Sequence, residues 1–176
     1  MKIKNFSDYV SQMNLNEKLE LEGDEKNVLK PISHAEQKIY SKMRAGKNFC
    51  IETKNQTSAI TLVEYYAKQM GAEPVELFAG KDIKSEEDVS GVPTTGGKIA
   101  IPKWALTIKD NQNKNYIVLL VGEFEQKLQT ALMTTVKGQI GGYDISKNCK
   151  FVLICENAKS LGKPLLAILN QRVIEL

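Results

Sequence analysis

Apolar and polar positions along this chain fall into two alternating periods. Ile117–Val121 and Phe151–Cys155 are unbroken apolar runs of five residues, as expected of strands buried on both faces. They form the cores of predicted strands Tyr116–Val121 and Lys150–Cys155, and shorter strands are predicted at Asn48–Glu52 and Pro74–Phe78. Between the strands the period lengthens. Thr57–Met70 places Ile60, Val63, Ala67 and Met70 on one helical face and stops at Gly71, which suits the left-handed end of a helix. Its N-cap is expected at Thr57 or Ser58. Pro31 and Ser33 predict an earlier helix start, with Ser33 as N-cap and Glu36 completing a capping box; that helix runs to about Ala45 and stops at Gly46. Phe124–Val136 predicts a helix closed off by Gly138, Gly141 and Gly142, and Leu165–Leu169 is helical in pattern. Lys98–Ile101 and Trp104–Lys109 read as a hairpin or strand pair around Pro102, and Val173–Leu176 as a last short strand. This alternation implies an α/β fold of three layers, a mostly parallel central sheet with helices on both faces.

The first 31 residues break the rhythm. Phe6, Tyr9, Val10 and Met13 fall at helical spacing, and an acidic stretch follows from Glu17 to Glu25, interrupted by Gly23. The chain therefore divides into a short N-terminal arm, 1–31, and one core, 32–176. Its 176 residues suffice for one ordinary domain.

Charge narrows the picture. A net +3 from 24 basic and 21 acidic residues is too small an excess to expect nucleic acid or anionic lipid as partner. No apolar run approaches the roughly 20 residues of a bilayer span, so no membrane association is expected. The three cysteines are an odd count in apolar or strand-like contexts; they suit a reducing interior and a cytoplasmic location, with Cys149 and Cys155 structural. The single histidine, His34, stands beside a helix start without the partners of a triad or zinc site. The basic residues are 22 lysines and two arginines, Arg44 and Arg172, so few places offer the flat guanidinium fork that grips phosphate.

In such a sheet a phosphate-binding loop belongs between the first strand and the long helix after it, where free N–H groups meet the helix dipole. Its working form is G-x-x-x-x-G-K-[ST]. Here the window reads TKNQTSAI. Thr53 and Ser58 stand at the glycine positions, Ala59 at the lysine position and Ile60 at the hydroxyl position. Each chemical role is missing, and Lys54, at the start of the loop, is a poor substitute. No cofactor and no metal site are expected.

Around that window, several stretches resemble in order the core of AAA+ ring ATPases, the MoxR-like group among them. HAEQKIYSKMRAGKNFCIE looks like the helix and first strand before their phosphate loop. AEPVELFAGKDIKSEEDVSG resembles the second strand and the loop ending in Asp88-Val89-Ser90-Gly91. GGKIAIPKWALTIKDNQNKNYIVLLVGEFEQKLQTALMTTVKGQ looks like a hairpin, the catalytic strand and its following helix. FVLICENAKSLGKPLLAILNQRV resembles the fourth strand with its polar tip and the stretch ending in an arginine.

The resemblance implies roles position by position. Where the family has a metal-binding Asp-Glu pair this chain has Gly122-Glu123, so only the water-activating glutamate remains. Asn157 matches the polar sensor of the γ-phosphate, and Arg172 the arginine that reaches into a neighbour's site. The chain ends soon after Arg172, so the core is expected without the family's small helical lid. Together these imply a degenerate P-loop fold, a pseudo-ATPase that is not an enzyme and serves as a protein-binding or structural module. Its expected partner is a second copy, a working AAA+ subunit, or a larger assembly such as a phage or virus particle. The alternative is a non-hydrolysing subunit of a mixed ring that lends Arg172 to a neighbouring ATP site.

Overall fold

A computed structural model describes residues 33–169 and 173–176. The arm, with its helical spacing from Phe6 to Met13, and Arg172 lie outside the described residues.

The first helix, α1 (His34–Arg44), begins at the expected capping box. Ser33 Oγ accepts the Glu36 N–H at 3.0 Å, and the Glu36 carboxylate accepts the Ser33 N–H at 3.3 Å. The chain continues through β1 (Phe49–Glu52), α2 (Gln56–Gln69), β2 (Ala72–Phe78) and a short α3 (Glu87–Ser90). A small hairpin, β3 (Val92–Pro93) and β4 (Ile99–Ala100), precedes α4 (Lys103–Asp110). Then come β5 (Asn115–Val121), α5 (Gln126–Val136) and a second hairpin, β6 (Gln139–Ile140) and β7 (Tyr143–Asp144). The chain closes with β8 (Cys149–Cys155), a 3-10 turn (Ala158–Ser160), α6 (Lys163–Ile168) and β9 (Val173–Glu175).

The five long strands form one parallel sheet in the order β2-β5-β8-β1-β9. The crossover from β1 to β2 runs one way across the sheet, and the later crossovers run back. Right-handed connections then place their helices on opposite faces. Accordingly α1 and α2 cover one face with Ile39, Met43, Leu62, Val63 and Tyr66, and α4, α5 and α6 cover the other with Ile108, Leu132, Val136 and Leu165. Each central strand serves both layers by its two-residue period. In β5, Val118 and Leu120 face α5 while Ile117 and Leu119 face α2.

The segment Trp104–Lys109 is helical, and the partner of β4 is β3 instead. Trp104, Ala105 and Ile108 lie at helical spacing and face the core, and the Trp104 indole N–H donates to the Asp88 carbonyl at 3.0 Å. Pro102 precedes this helix, where its missing N–H costs nothing. The two hairpins touch. Gly141, in the turn of the second, sits so near the first that a Cβ there would lie 2.4 Å from Ile101 Cγ2.

All three cysteines are buried. Cys50 and Cys155 lie on neighbouring strands in diagonal register, with sulfurs 3.8 Å apart. The Cys155 thiol and then burial push the Cys50 thiol far up, and burial pushes Cys149 up to about 12. Such thiols stay protonated and unreactive.

Candidate functional site at the carboxyl ends of the strands

Ligands of open parallel sheets bind beyond the carboxyl ends of the strands, where the direction of the connections reverses. Here that point lies between β1 and β8. The residues placed there are Thr53 after β1, Gly122 and Glu123 after β5, and Glu156 and Asn157 after β8.

The connection from β1 to α2 is three residues long, Thr53 to Asn55. Thr53 is buried and extends the strand hydrogen bonding, its N–H donating to the Cys155 carbonyl at 2.9 Å. Its hydroxyl oxygen accepts the Asn55 N–H at 3.1 Å. The N-cap of α2 is Asn55, whose side-chain oxygen accepts the Ser58 N–H at 3.1 Å. The cap therefore lies upstream of the expected Thr57 or Ser58, and Ser58 is the donor in that bond. Ala59 is fully buried inside α2, packed in the layer shared with α1, and Ile60 is half-buried on the same helix. Lys54 is exposed. Two of the N–H groups that a phosphate would use are thus taken by side chains of the loop itself.

Glu123 and Asn157 are brought together across the sheet. Glu123 Oε1 accepts the N–H groups of Glu156 at 2.8 Å and Asn157 at 3.1 Å, and Oε2 accepts the Ser160 hydroxyl at 2.6 Å. The Asn157 side chain turns inward to its own 3-10 turn and accepts the Lys159 N–H at 3.0 Å. Gln129, on α5 and buried, ties the far side of this turn. Its amide donates to the Phe124 carbonyl at 2.7 Å and the Ser160 carbonyl at 3.0 Å, while its oxygen accepts the Gly162 N–H at 2.7 Å. Both polar residues singled out at these strand ends therefore have intramolecular work. Asn55, Gln129 and Ser160 complete the arrangement and were not singled out from the sequence. Asn55 carries a signal, an asparagine directly before the helical spacing begins. Gln129 and Ser160 carry none, since the bonds that tie them across the site span 31–37 residues.

Gly122 adopts φ 110, a conformation that L side chains rarely take, and a Cβ there would meet Ala79 Cβ at 3.1 Å. Beside it opens a cleft of about 450 Å³ between the ends of β2 and β5, bordered by Gly80, Lys84, Glu123 and Glu125. Among the described residues no group of three or more His, Cys, Asp or Glu side chains could hold a metal ion. No helix among them is long and apolar enough to cross a membrane.

No protein-family model and no curated protein sequence matches the chain. Solved structures do. NtrX from Brucella abortus superimposes on 97% of this chain and 40% of its own, with TM-score 0.57 and 11% identity. Cdc6p from Pyrobaculum aerophilum covers 85% of this chain and 47% of its own, with TM-score 0.51 and 13% identity. The Aeropyrum pernix ORC1 protein, solved in complex with DNA, covers 88% and 47%, with TM-score 0.51 and 13% identity. The chain spans less than half the length of each. These are AAA+ P-loop proteins, and at such identities the likeness concerns the fold alone. The chain has the three-layer, mostly parallel α/β fold of a P-loop NTPase-like AAA+ core.

Proposed function

We propose that this AAA+-like core is catalytically silent and acts as a protein-interaction or structural component of a larger assembly. The observation that carries this reading is the three-residue connection between β1 and α2, capped by its own Thr53 and Asn55 side chains. A phosphate loop needs a wide backbone cradle and a lysine projecting into it. Here the cradle is absent and the lysine position is Ala59, buried in the core. The strand end supports the same reading. An aspartate in place of Gly122 would need both a strained backbone, costing about 1–2 kcal/mol, and a shift of Ala79. Glu123, the acid left of that pair, borders the cleft but commits both carboxylate oxygens to the β8 turn.

The interaction half of the proposal rests on exposed apolar side chains. Val92 and Ile99 on the first hairpin, Leu106 on α4 and Tyr143 on the second hairpin are each more than 40% exposed. They sit on adjoining elements, since Gly141 packs against Ile99 and Ile101 and the Lys109 ammonium lies over the Tyr143 ring at 4.6 Å. Contiguous exposed apolar groups on a folded domain mark contact surfaces. The partner is another protein, in a homo- or hetero-oligomer, a phage or virus particle among the assemblies that fit.

Titration with ATP and magnesium tests the silent site; no binding at micromolar nucleotide is expected, and micromolar affinity would overturn the proposal. The rival reading, a mixed ring to which Arg172 is lent, makes a different prediction: Arg172→Ala would lower hydrolysis by a competent partner subunit.

A further inference from the structure

Large apolar side chains left in water are concentrated in one part of this molecule. Among the described residues, four of the five most exposed, Val92, Ile99, Leu106 and Tyr143, belong to the two hairpins and α4. Cross-strand partners share a face, so in the first hairpin Val92 and Ala100 look to one side and Pro93 and Ile99 to the other. The Ile99 side meets the second hairpin at Gly141. Tyr143 follows two residues on. Leu106 lies on α4 one turn before Lys109, whose ammonium covers the Tyr143 ring. The surface is also held in shape. The Thr94 N–H and hydroxyl both donate to the Lys98 carbonyl at 2.8 Å, and the Gly97 N–H donates to the Thr94 carbonyl at 3.0 Å, which closes the first hairpin. A partner docking on a surface already ordered meets little further entropy cost.

The free charge of this face has one sign. From Val92 to Lys109 the chain carries three lysines, Lys98, Lys103 and Lys109, and no carboxylate. Strand alternation puts Lys98 on the Val92 side of the hairpin, and Lys103 stands one turn before Leu106 on α4. The carboxylates on these elements, Asp110 and Asp144, are engaged, Asp110 with Lys109 at 3.4 Å and Asp144 with the Ser146 N–H at 2.8 Å. Among the described residues the ion pairs are Lys109–Asp110 and Lys114–Glu73, so Lys98 and Lys103 have no carboxylate partner there. This charge selects among occupants. A two-fold contact between copies would set the same lysines against each other. A nucleic-acid strand would find no open stacking platform, because Tyr143 already has a lysine over its ring, and the aliphatic side chains offer phosphate nothing.

We propose that the two hairpins and α4 form the docking surface for an acidic segment of a partner protein, one that carries large apolar side chains between its carboxylates. The apolar groups cover Ile99, Leu106 and Tyr143, and the carboxylates pair with Lys98 and Lys103. This rests on the interaction half of the proposed function and names the chemistry of the partner. It holds whether or not the strand-end site binds nucleotide.

A displayed library of random peptides, selected on the full chain and counter-selected on its Ile99→Ser, Leu106→Ser variant, reads the preference of this face directly. The surviving peptides are expected to hold more Asp and Glu than the input library and to keep large apolar residues among them. The strongest survivor, made as a fluorescent peptide, should bind the Lys98→Glu, Lys103→Glu variant about tenfold more weakly than the parent, since two exposed attractions become repulsions. Exchanging the carboxylates of the peptide for lysines should restore binding to that variant. In the parent, binding should weaken several-fold between about 0.1 and 1 M salt, a measurement that needs no substitution. Survivors without excess carboxylate, or equal binding to both charge forms, overturn the proposal. So does an oligonucleotide that binds this face more tightly than the peptide. Basic survivors, or self-association of the parent that Ile99→Ser, Leu106→Ser abolishes, overturn the acidic partner and leave the interaction reading standing. No survivors that need this face, with a parent that stays monomeric, overturn both.

Discussion

Glu123 and Asn157 meet across 34 residues of sequence through a single hydrogen bond, the Asn157 N–H donating to Glu123 Oε1 at 3.1 Å. The same carboxylate also holds the Glu156 N–H and the Ser160 hydroxyl, so one side chain fixes the turn after β8 to the end of β5. Removing it should loosen that turn. Glu123→Ala is expected to cost about 1–2 kcal/mol, since hydrogen bonds to a charged acceptor are worth somewhat more than neutral ones but this site is exposed. Urea unfolding checks the value; a midpoint within error of the parent would show that the turn stands without the carboxylate.

Asn55 caps α2 through the Ser58 N–H, and Thr57 does not cap it. Asn55→Ala is therefore expected to lower stability by about 1 kcal/mol, and Thr57→Ala by much less. Thermal melts of the two variants side by side decide it, and the reverse order would move the helix start downstream.

Ala59, which the sequence reading sets at the lysine position of a phosphate loop, is fully buried in the core layer to which α1 and α2 contribute. Ala59→Lys should place an ammonium in an apolar layer and destabilise the fold by about 3 kcal/mol or more. The variant is expected to melt well below the parent and to gain no nucleotide affinity. A lysine variant that melted normally would mean that the position can turn outward.

Asp88 gives a pH dependence. The Lys84 N–H foremost, and the Ser85 N–H and hydroxyl with it, hold its carboxyl below the usual 3.8. A lowered native pKa contributes stability that is present above the unfolded value and lost as the pH falls through the native one. The stability gap between the parent and Asp88→Asn should thus be widest at neutral pH and narrow below pH 3.8. Denaturation across pH 2–7 measures it; a gap that grows in acid contradicts the assignment.

Tyr66 is buried in the layer beneath α1, and its hydroxyl has no hydrogen-bond partner among the described residues. An unpaired buried hydroxyl costs stability that phenylalanine does not. Tyr66→Phe is expected to be neutral or to raise stability by up to about 1 kcal/mol. A loss of stability would show that the hydroxyl contributes to the folded state.

Where the period of the sequence was long and unbroken, it was legible. Tyr116–Val121 and Lys150–Cys155 are strands, and the Ser33–Glu36 box opens α1 as its composition predicts. Around Pro102 the reading failed because Trp104 to Lys109 alternates well enough to pass for a strand; its tertiary contacts, above all the indole bond to Asp88, favour the helix. At the strand ends the sequence offers polar residue types but not their bonding. Glu123 and Asn157 were found from their positions, but their bonds to Ser160 and Lys159 depend on how the turn after β8 folds back, which no local pattern encodes. Asn55, Thr57 and Ser58 all carry capping chemistry within four residues, so residue type alone does not choose the Asn55 cap among them.

The placement of β1 has a consequence for how the chain is made. β1 lies between β8 and β9, strands that leave the ribosome long after it does. Asn48 clasps the Phe151 N–H and the Val136 carbonyl, contacts spanning 103 and 88 residues. At about 5–20 residues per second, Phe49 and Ile51 wait roughly 5–20 s during synthesis for their strand partners. β2, β5 and β8 can pair in succession as they emerge, whereas β1 enters a sheet already half built. Of the described strands, the one that comes first in the sequence thus waits longest for its partners, and its apolar side chains stay unpaired after β2 and β5 have both emerged.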